Sequence, residues 1–516
     1  MQVRAILFDT RSIQRYIFSD NRLKTNIGAS YIVSHVFEDI LLGRILKPGN
    51  FGLQTVNTNS WENGEEIPDG LGADCYVAYI GGGNALVLFP DKGEDRRKEI
   101  VSAFTEELLV TYPGLKTGAA LGMLQIHTPA YKESMGALYS VLKDNQNTVF
   151  PVVNVMNTGL TLSCEINGEA ANAYVTSGPL VKKGESRFFS KEAVAKVEAS
   201  EGADEKLQED FSDVLGGHKF PKELDRLGQK EGENDIAVVH IDGNNMGVRF
   251  QKCDQLEDRS KLSRAVTGKT QAAFSELLKY MIERYGSYKS FLDLKDEELP
   301  IRPLILGGDD ITFICNAKIA LFCTKRFMEF LMDENCGGMA IDSCAGIAIV
   351  STSYPFFRAY KLAEQLCDVA KKASRKSPGT SWLDYAILHG EQAPTIEQIR
   401  EQEYRGAMGD MHFGPYRIDG ETDYHFHIDK LFEAADGLKE ELPSGKYKEL
   451  RYVLQRGGHD MKRYMEQIQH NGYKFPSVKG WEKYAETLWD NTSGIYRTPY
   501  VDAVEIIDYV PPKEAR

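Results

Sequence analysis

The sequence predicts an α+β protein in which one β-α-β-β-α-β unit occurs twice, followed by a helical C-terminal region. Three observations carry this. An apolar, strand-like run ending in an aspartate opens each half: Val3 to Phe8 before Asp9, and Ile236 to Ile241 before Asp242. Two short apolar runs around a glycine turn come later in each half, CYVAYI-GGGN-ALVLF and LIL-GGDD-ITFIC. The spacings also agree. Aspartate to glycine turn is 72 residues in the first half (9 to 81) and 65 in the second (242 to 307). Turn to the glycine of the next strand is 41 (81 to 122) and 39 (307 to 346). Two units of about 150 residues in the ferredoxin-like, split βαβ order account for this. Two generic α/β repeats without shared chemistry remain the alternative.

Each element has a pattern behind it. In the first copy, helical periodicity covers Arg11 to Phe18 and Ser30 to Leu46, then Lys92 to Leu109 and Ala130 to Asn145. GAALGMLQI, Gly118 to Ile126, reads as its last strand. In the second, Leu256 to Arg284, Lys318 to Met332 and Phe356 to Lys372 read as helices and Cys344 to Val350 as a strand. Alternation with period 2 and recurrence with period 3.6 distinguish the two types. Lys191 to Asp235 is rich in Glu, Lys and Asp and reads as a charged connection with one or two helices, not as core. Ser381 to Leu388 is strand-like. Helical stretches follow near Lys430–Leu438, Lys446–Arg456, Asp460–Gln469 and Lys479–Trp489.

Composition narrows the function classes. With 42% hydrophobic and 26% charged residues, the chain of 516 is ordinary globular protein. No apolar run approaches the roughly 18 residues of a spanning helix, and the N-terminus lacks a secretory signal, so no membrane role is expected. The eight cysteines stand singly with no CxxC pair, which disfavours a zinc ribbon and suits a reducing cytoplasm. A net charge of −14 argues against indiscriminate nucleic-acid binding.

The chemistry concentrates in the second copy. Gly307-Gly308-Asp309-Asp310 lies between apolar strands and forms a tight hairpin, where glycine supplies the positive φ and lets a ligand approach. Two adjacent acids persist there if solvated or if a cation neutralises them. Asp242 ends a strand expected beside this hairpin, so Asp242, Asp309 and Asp310 are expected to converge. Hard oxygen ligands of this kind suit Mg²⁺ or Mn²⁺ with substrate phosphates, and attack on an α-phosphate. A solvated turn is the plainer reading of GGDD alone. Lys371 and Arg375 are four apart on one helix face, placed to meet a triphosphate as point charge and fork. A solvated basic face is the alternative there.

GGDD between strands, with A-E-x-L-x-x-x-A-K-x-x-x-R from Ala363, resembles the GGDEF-type nucleotidyl cyclases. A closer resemblance is to the large polymerase/cyclase subunit of type III CRISPR effector complexes, which has two palm domains and a GGDD in the second. The sequence Asp242-Gly243-Asn244-Asn245-Met246-Gly247 resembles that family's DGDNMG. D-T-R-S-I-Q-R-Y-I-F from Asp9, I-G-A-S-Y from Ile27 and G-P-Y-R-I from Gly414 resemble it also. The resemblance implies two nucleotidyl cyclase-like palms, with catalysis and metal binding at Asp242, Asp309 and Asp310. It also implies nucleotide contacts from Gly307, Gly308, Lys371 and Arg375. The expected division is 1–150 first palm, 151–235 connection, 236–395 second palm and 396–516 helical domain.

Several departures stand out. No HD nuclease segment precedes the first palm, so cleavage of single-stranded DNA is not expected. Of the zinc-ribbon cysteines only Cys164 remains. Asn244 replaces the second acid of DGDNMG, and Gly81-Gly82-Gly83-Asn84 replaces the acidic turn in the first palm. Asp9 is there either a lone site carboxylate or the cap of the following helix. A palm without metals still has a use, as holder of a second nucleotide through Gly82, Gly83, Asn84 and Lys143, the last set where Lys371 sits in copy two. The function implied is a cytoplasmic nucleotidyltransferase making a cyclic or linear oligonucleotide messenger from ATP or other nucleoside triphosphates in antiviral defence, working as a monomer. Alternatives are a target-RNA-gated subunit of a CRISPR ribonucleoprotein, partnered by its other subunits and RNA, and a non-catalytic nucleotide-binding regulator.

Overall fold

A computed structural model describes residues 1–148, 157–388, 390, 395–420, 424–492 and 495–516. The expected boundary at 150/151 lies outside these. The chain forms two compact units. The first is Met1–Asp213 with Asn245–Thr270 and Leu304–Asp309; the second is Val214–Asn244 with Gln271–Pro303 and Asp310–Arg516.

In the first unit, β1 (Gln2–Arg11) leads to α1 (Ile13–Ile17) and α2 (Leu23–Val36), which runs on as a π-helical segment over Phe37–Ile45. Then come β2 (Val56–Asn57), α3 (Asn59–Glu62), β3 (Cys75–Gly81), β4 (Asn84–Pro90), α4 (Arg97–Thr111), β5 (Lys116–Gln125) and α5 (Tyr131–Gln146). The sheet order is β2-β3-β4-β1-β5. Its last four strands are the expected ferredoxin-like set, all antiparallel, with the short β2 added in parallel.

Strand alternation splits β1 between two cores. Val3, Ala5 and Leu7 pack with Tyr131, Met135, Leu138 and Leu142, one stripe of α5. Phe8 faces the other way, against the rings of Phe37 and Phe104 at 5.9 and 4.9 Å. Each such fully buried side chain contributes about 1.5–3 kcal/mol. α2 begins ahead of the expected Ser30, just after Asp20, whose carboxylate accepts the Arg22 N–H at 3.0 Å.

A small hairpin of β6 (Ala173–Val175) and β7 (Arg187–Phe189) precedes α6 (Lys191–Asp210). Cys164 is buried there with Phe189 and Ala193, a small apolar core. The segment read as a charged connection is here corrected: α6 is core. Gly28 of α2 lies so close to it that a Cβ would stand 1.6 Å from the Lys196 carbonyl oxygen. Lys196 is fully buried, its ammonium donating to the Tyr16 carbonyl (2.8 Å), Ser19 Oγ (2.7 Å) and Glu192 Oε1 (2.6 Å). Charge composition does not reveal that such a lysine is satisfied internally.

The short α7 (Ser212–Leu215) leads to the second sheet. Its strands are β8 (Asp235–Gly243), β9 (Ile301–Gly307), β10 (Asp310–Asn316), β11 (Ser343–Ser351), β12 (Trp382–Ile387) and β13 (Tyr416–Arg417), ordered β13-β12-β11-β8-β10-β9. The ferredoxin-like order recurs, extended by β12 parallel to β11 and by β13. Between these strands lie α8 (Met246–Gln251), α9 (Leu256–Glu283), α10 (Tyr285–Leu292), α11 (Ala320–Met332) and α12 (Phe356–Lys376). The C-terminal region is helical as expected: α13 (Ile396–Glu403), α14 (Ile428–Glu441), α15 (Ser444–Arg456), α16 (Gly458–His470), α17 (Glu482–Thr487) and α18 (Tyr500–Ile506). No helix among the described residues is long and apolar enough to cross a membrane.

A buried ionic network joins this region to β12. His412 meets Asp384 Oδ1 through Nε2 at 2.8 Å and Asp502 Oδ1 through Nδ1 at 3.0 Å. Arg400 reaches the same Asp384 oxygen at 3.1 Å. Burial and the Arg400 charge push the His412 pKa down. The two carboxylates outweigh them and raise it above the ordinary value, because both ring nitrogens then donate.

Candidate active site

In the second unit, β8 and β10 pair so that Asp242 stands directly opposite Asp310. Like charges in that relation destabilise a sheet. The compensating cation is Lys371 of α12, whose Nζ lies 2.5 Å from Asp242 Oδ2. Burial alone would lower the Lys371 pKa; the hydrogen bond to Asp242 and the charges around it raise it instead. Gly346 of β11 makes this delivery possible. A Cβ there would sit 1.9 Å from the Ala363 carbonyl oxygen, so only glycine lets α12 lie this close to the sheet. Arg375, one helical turn further, is exposed at the end of α12.

His240 is two residues before Asp242, hence on the same sheet face. Its Nδ1 is 3.5 Å from Asp310 Oδ1, and its ring meets Tyr360 edge-on at 5.5 Å. Burial pushes its pKa down, which favours the neutral ring beside the acids. The period-2 rule applied to Asp242 points to this residue, which motif matching passed over.

Asn244 is turned to structural use. Its amide donates to Ser374 Oγ (3.1 Å) and the Thr380 carbonyl (3.2 Å), a bond an aspartate cannot make to that carbonyl.

Asp309 belongs with Gly308 to the turn, outside the register that sets Asp310 against Asp242. Among the described residues, no three His, Cys, Asp or Glu side chains form a group fit to hold a metal ion. Of the three acids expected to converge, Asp242 and Asp310 form a cross-strand pair, and Asp309 sits on the adjoining turn rather than on the ladder. Gly308 has φ +71°, the conformation for which the turn needs glycine. Its carbonyl accepts the Thr270 hydroxyl at 2.6 Å, within the first unit.

The first sheet carries a degenerate copy. Asp9 is opposite Asn84, as Asp242 is opposite Asp310. Asp9 does not cap α1, whose N-cap is Ser12 with no side-chain cap. It accepts the Gln146 amide at 2.5 Å, and burial pushes its pKa up despite that bond. Gln146 therefore occupies the place of Lys371. The buried stripe 131, 135, 138, 142 of α5 matches 356, 360, 363, 367 of α12, and continues to 146 and 371. Lys143 is exposed off that stripe, so its expected equivalence with Lys371 is corrected. The equation of Gly122 with Gly346 shifts likewise: Asp9 pairs with Gly118 and Asp242 with Cys344.

In the turn itself, Gly82 and Gly83 have φ of +59° and +77°. Gly82 is open, whereas a Cβ at Gly83 would meet Ile13 Cδ1 at 2.6 Å. Asn84 spends its amide on the Gly82 carbonyl at 3.1 Å. α9 passes both turns within the first unit. Ser263 Oγ is 3.5 Å from the Cβ position of Gly81, and Thr270 bonds Gly308. Ser263 and Thr270 are two helical turns apart on one face, a rise of about 10 Å.

Residues 235–378, the strands and helices that carry this pair, match the family model described as Cas10/Cmr2, second palm domain. Over those residues the second sheet is similar to a Cas10/Cmr2 second palm. This bears out the resemblance to the type III CRISPR large subunit. No curated protein matches the sequence. Among solved structures, a Csm1–Csm4 cassette in complex with pppApApA aligns with TM-score 0.51 and 11% identity, over 99% of this chain and 70% of its own. Csm1 from T. onnurineus aligns with TM-score 0.49 and 14% identity, over 99% and 70%. At these identities the likeness to the Csm1–Csm4 cassette is one of fold, and it bears out the α/β architecture around the Cas10/Cmr2 palm.

Proposed function

We propose that the chain is a nucleotidyltransferase that joins nucleoside triphosphates, ATP foremost, into a short cyclic or linear oligonucleotide messenger in antiviral defence. The observation that carries this is the Asp242–Asp310 pair, set opposite one another on a Cas10/Cmr2 palm and countered by one lysine. Two carboxylates with hard oxygens facing each other fit a divalent cation, Mg²⁺ or Mn²⁺, completed by phosphate oxygens and water. Asp242 and Asp310 would hold it, with Asp309 contributing from the turn. When bound, such an ion neutralises charge developing on the transferred phosphoryl group. Lys371 would then leave Asp242 for a substrate phosphate, acting as a point charge. Arg375, exposed one turn on, extends that cationic edge.

The first palm, with neither acid pair nor lysine, would hold a second nucleotide at the open Gly82. The placement of both glycine turns along α9 supports a two-nucleotide arrangement in one chain. That a relative's fold was captured with pppApApA is in keeping with an oligoadenylate product. The same structure pairs Csm1 with Csm4, which favours a second reading, that this chain works beside a comparable subunit in an RNA-guided complex. The test is purified protein with Mg²⁺ or Mn²⁺ and each nucleoside triphosphate, products read by mass spectrometry. The Asp242→Asn/Asp310→Asn variant should give none. Product formation by that variant would eliminate the site.

A further inference from the structure

A cavity of about 240 Å³ opens in the first unit beside Phe89, Arg4, Lys92 and the start of α4. Arg4 pairs with Phe89 in the sheet, while Asp9 pairs with Asn84 beside the glycine turn. The cavity thus lies five residue pairs, about 17 Å, from that turn.

Three independent features mark it. Phe51 lines it with φ +52°, a left-handed conformation that costs a bulky residue strain and persists where the surroundings require it. Phe89, almost fully buried, supplies a second ring. The charges leave a small positive excess, four cations against three anions. Arg96 pairs with Glu94 and Arg97 with Asp95. Asp74 accepts the backbone N–H groups of Gln54 (2.8 Å) and Thr55 (3.0 Å), which hold its pKa down and keep it anionic. Arg4 donates to the Gly93 carbonyl at 3.0 Å and its charge also acts on Asp95, whereas no ion pair engages Lys92 among the described residues. α4 begins at the wall, so its positive end adds to theirs.

From two rings and a net positive lining around one hollow, we infer that this pocket binds a nucleotide, its base against Phe51 and its phosphate at Arg4 and Lys92. The chemistry is shared by a free nucleotide and by one residue of an RNA strand. The inference stands apart from the nucleotidyl transfer proposed above, and its test excludes divalent metal.

The full chain in EDTA is titrated with the fluorescent nucleotide mant-AMP and, separately, with a 5′-fluorescein-labelled single-stranded oligoadenylate. Saturable binding of at least one probe is expected. Phe51→Gly should weaken it about tenfold, the effect of one lost stacking contact. It should also leave the melting temperature unchanged or raised, since glycine accepts φ +52°. Lys92→Gln, on an exposed loop, should weaken binding without touching the fold. Binding of mant-AMP assigns the pocket to free nucleotides. Binding of the oligoadenylate alone assigns it to RNA. No saturable binding of either probe, or binding indifferent to both substitutions, overturns the inference.

Discussion

Lys371→Ala tests the pairing on which the proposed active site rests. Its ammonium, 2.5 Å from Asp242, is the counter-charge to two carboxylates facing each other across the ladder. A charge-assisted hydrogen bond is worth about 1.5–3 kcal/mol, and the like-charge pair it relieves costs up to about 1 kcal/mol. The two side chains are 25% and 29% exposed, so water recovers part of this. A net loss of about 1–3 kcal/mol is expected in metal-free protein. At roughly 2–4 °C per kcal/mol for a unit of this size, the melting temperature should fall by about 2–12 °C in EDTA. Magnesium should reverse the order of effects. With its internal competitor gone, the pair binds the ion more tightly, and each tenfold gain in affinity adds about 1.4 kcal/mol. Thermal melts of both proteins with and without Mg²⁺ measure this directly. The Mg²⁺-induced rise should be larger in the variant, while its apparent KM for nucleotide increases. Identical melts under both conditions would refute both the ion pair and its competition with metal.

Three further outcomes follow from the packing. Gly28→Ala drives a Cβ to 1.6 Å from the Lys196 carbonyl oxygen and should cost at least the ~1–3 kcal/mol of ordinary overpacking, read by urea unfolding. His412 has a raised pKa, so its stabilisation is complete below about 6.5 and lost as pH rises through the folded value. Urea unfolding across pH 6–9 should show that decline, and His412→Gln should remove it. Lys143→Ala should leave nucleotide affinity by calorimetry unchanged, because Gln146 and not Lys143 stands beside Asp9.

The sheets and their order were legible because strand-end aspartates and glycine turns repeat at similar spacings, and β pairing leaves those marks in sequence. Asp242 was placed beside the hairpin for the same reason, whereas Lys371 was singled out by its spacing to Arg375 on one helix face, and its bond to Asp242 was not foreseen. The equivalence of Lys143 and Lys371 was not, since a motif aligns letters while a helix aligns its buried stripe; counting from Tyr131 and Phe356 leads to Gln146. The role of α6 was hidden because Lys196 and Glu192 neutralise one another inside the protein. S-I-Q-R-Y owes part of its place to the same contact, through the Tyr16 carbonyl. Ser263 and Thr270 carry no signature, because a hydroxyl on a long amphipathic helix is ordinary until its neighbours are known.

That helix works as a ruler. The interval between the two glycine turns along α9 is written into a covalent count of seven residues, not negotiated by a reversible interface. One residue inserted between Ser263 and Thr270 would turn one hydroxyl about 100° away and lengthen the interval by about 1.5 Å. Only insertions near a whole turn would keep both hydroxyls in line. The span between the two turns is therefore quantised in steps of helical pitch. Changes of side chain at positions that either turn tolerates then leave the distance between the turns all but fixed.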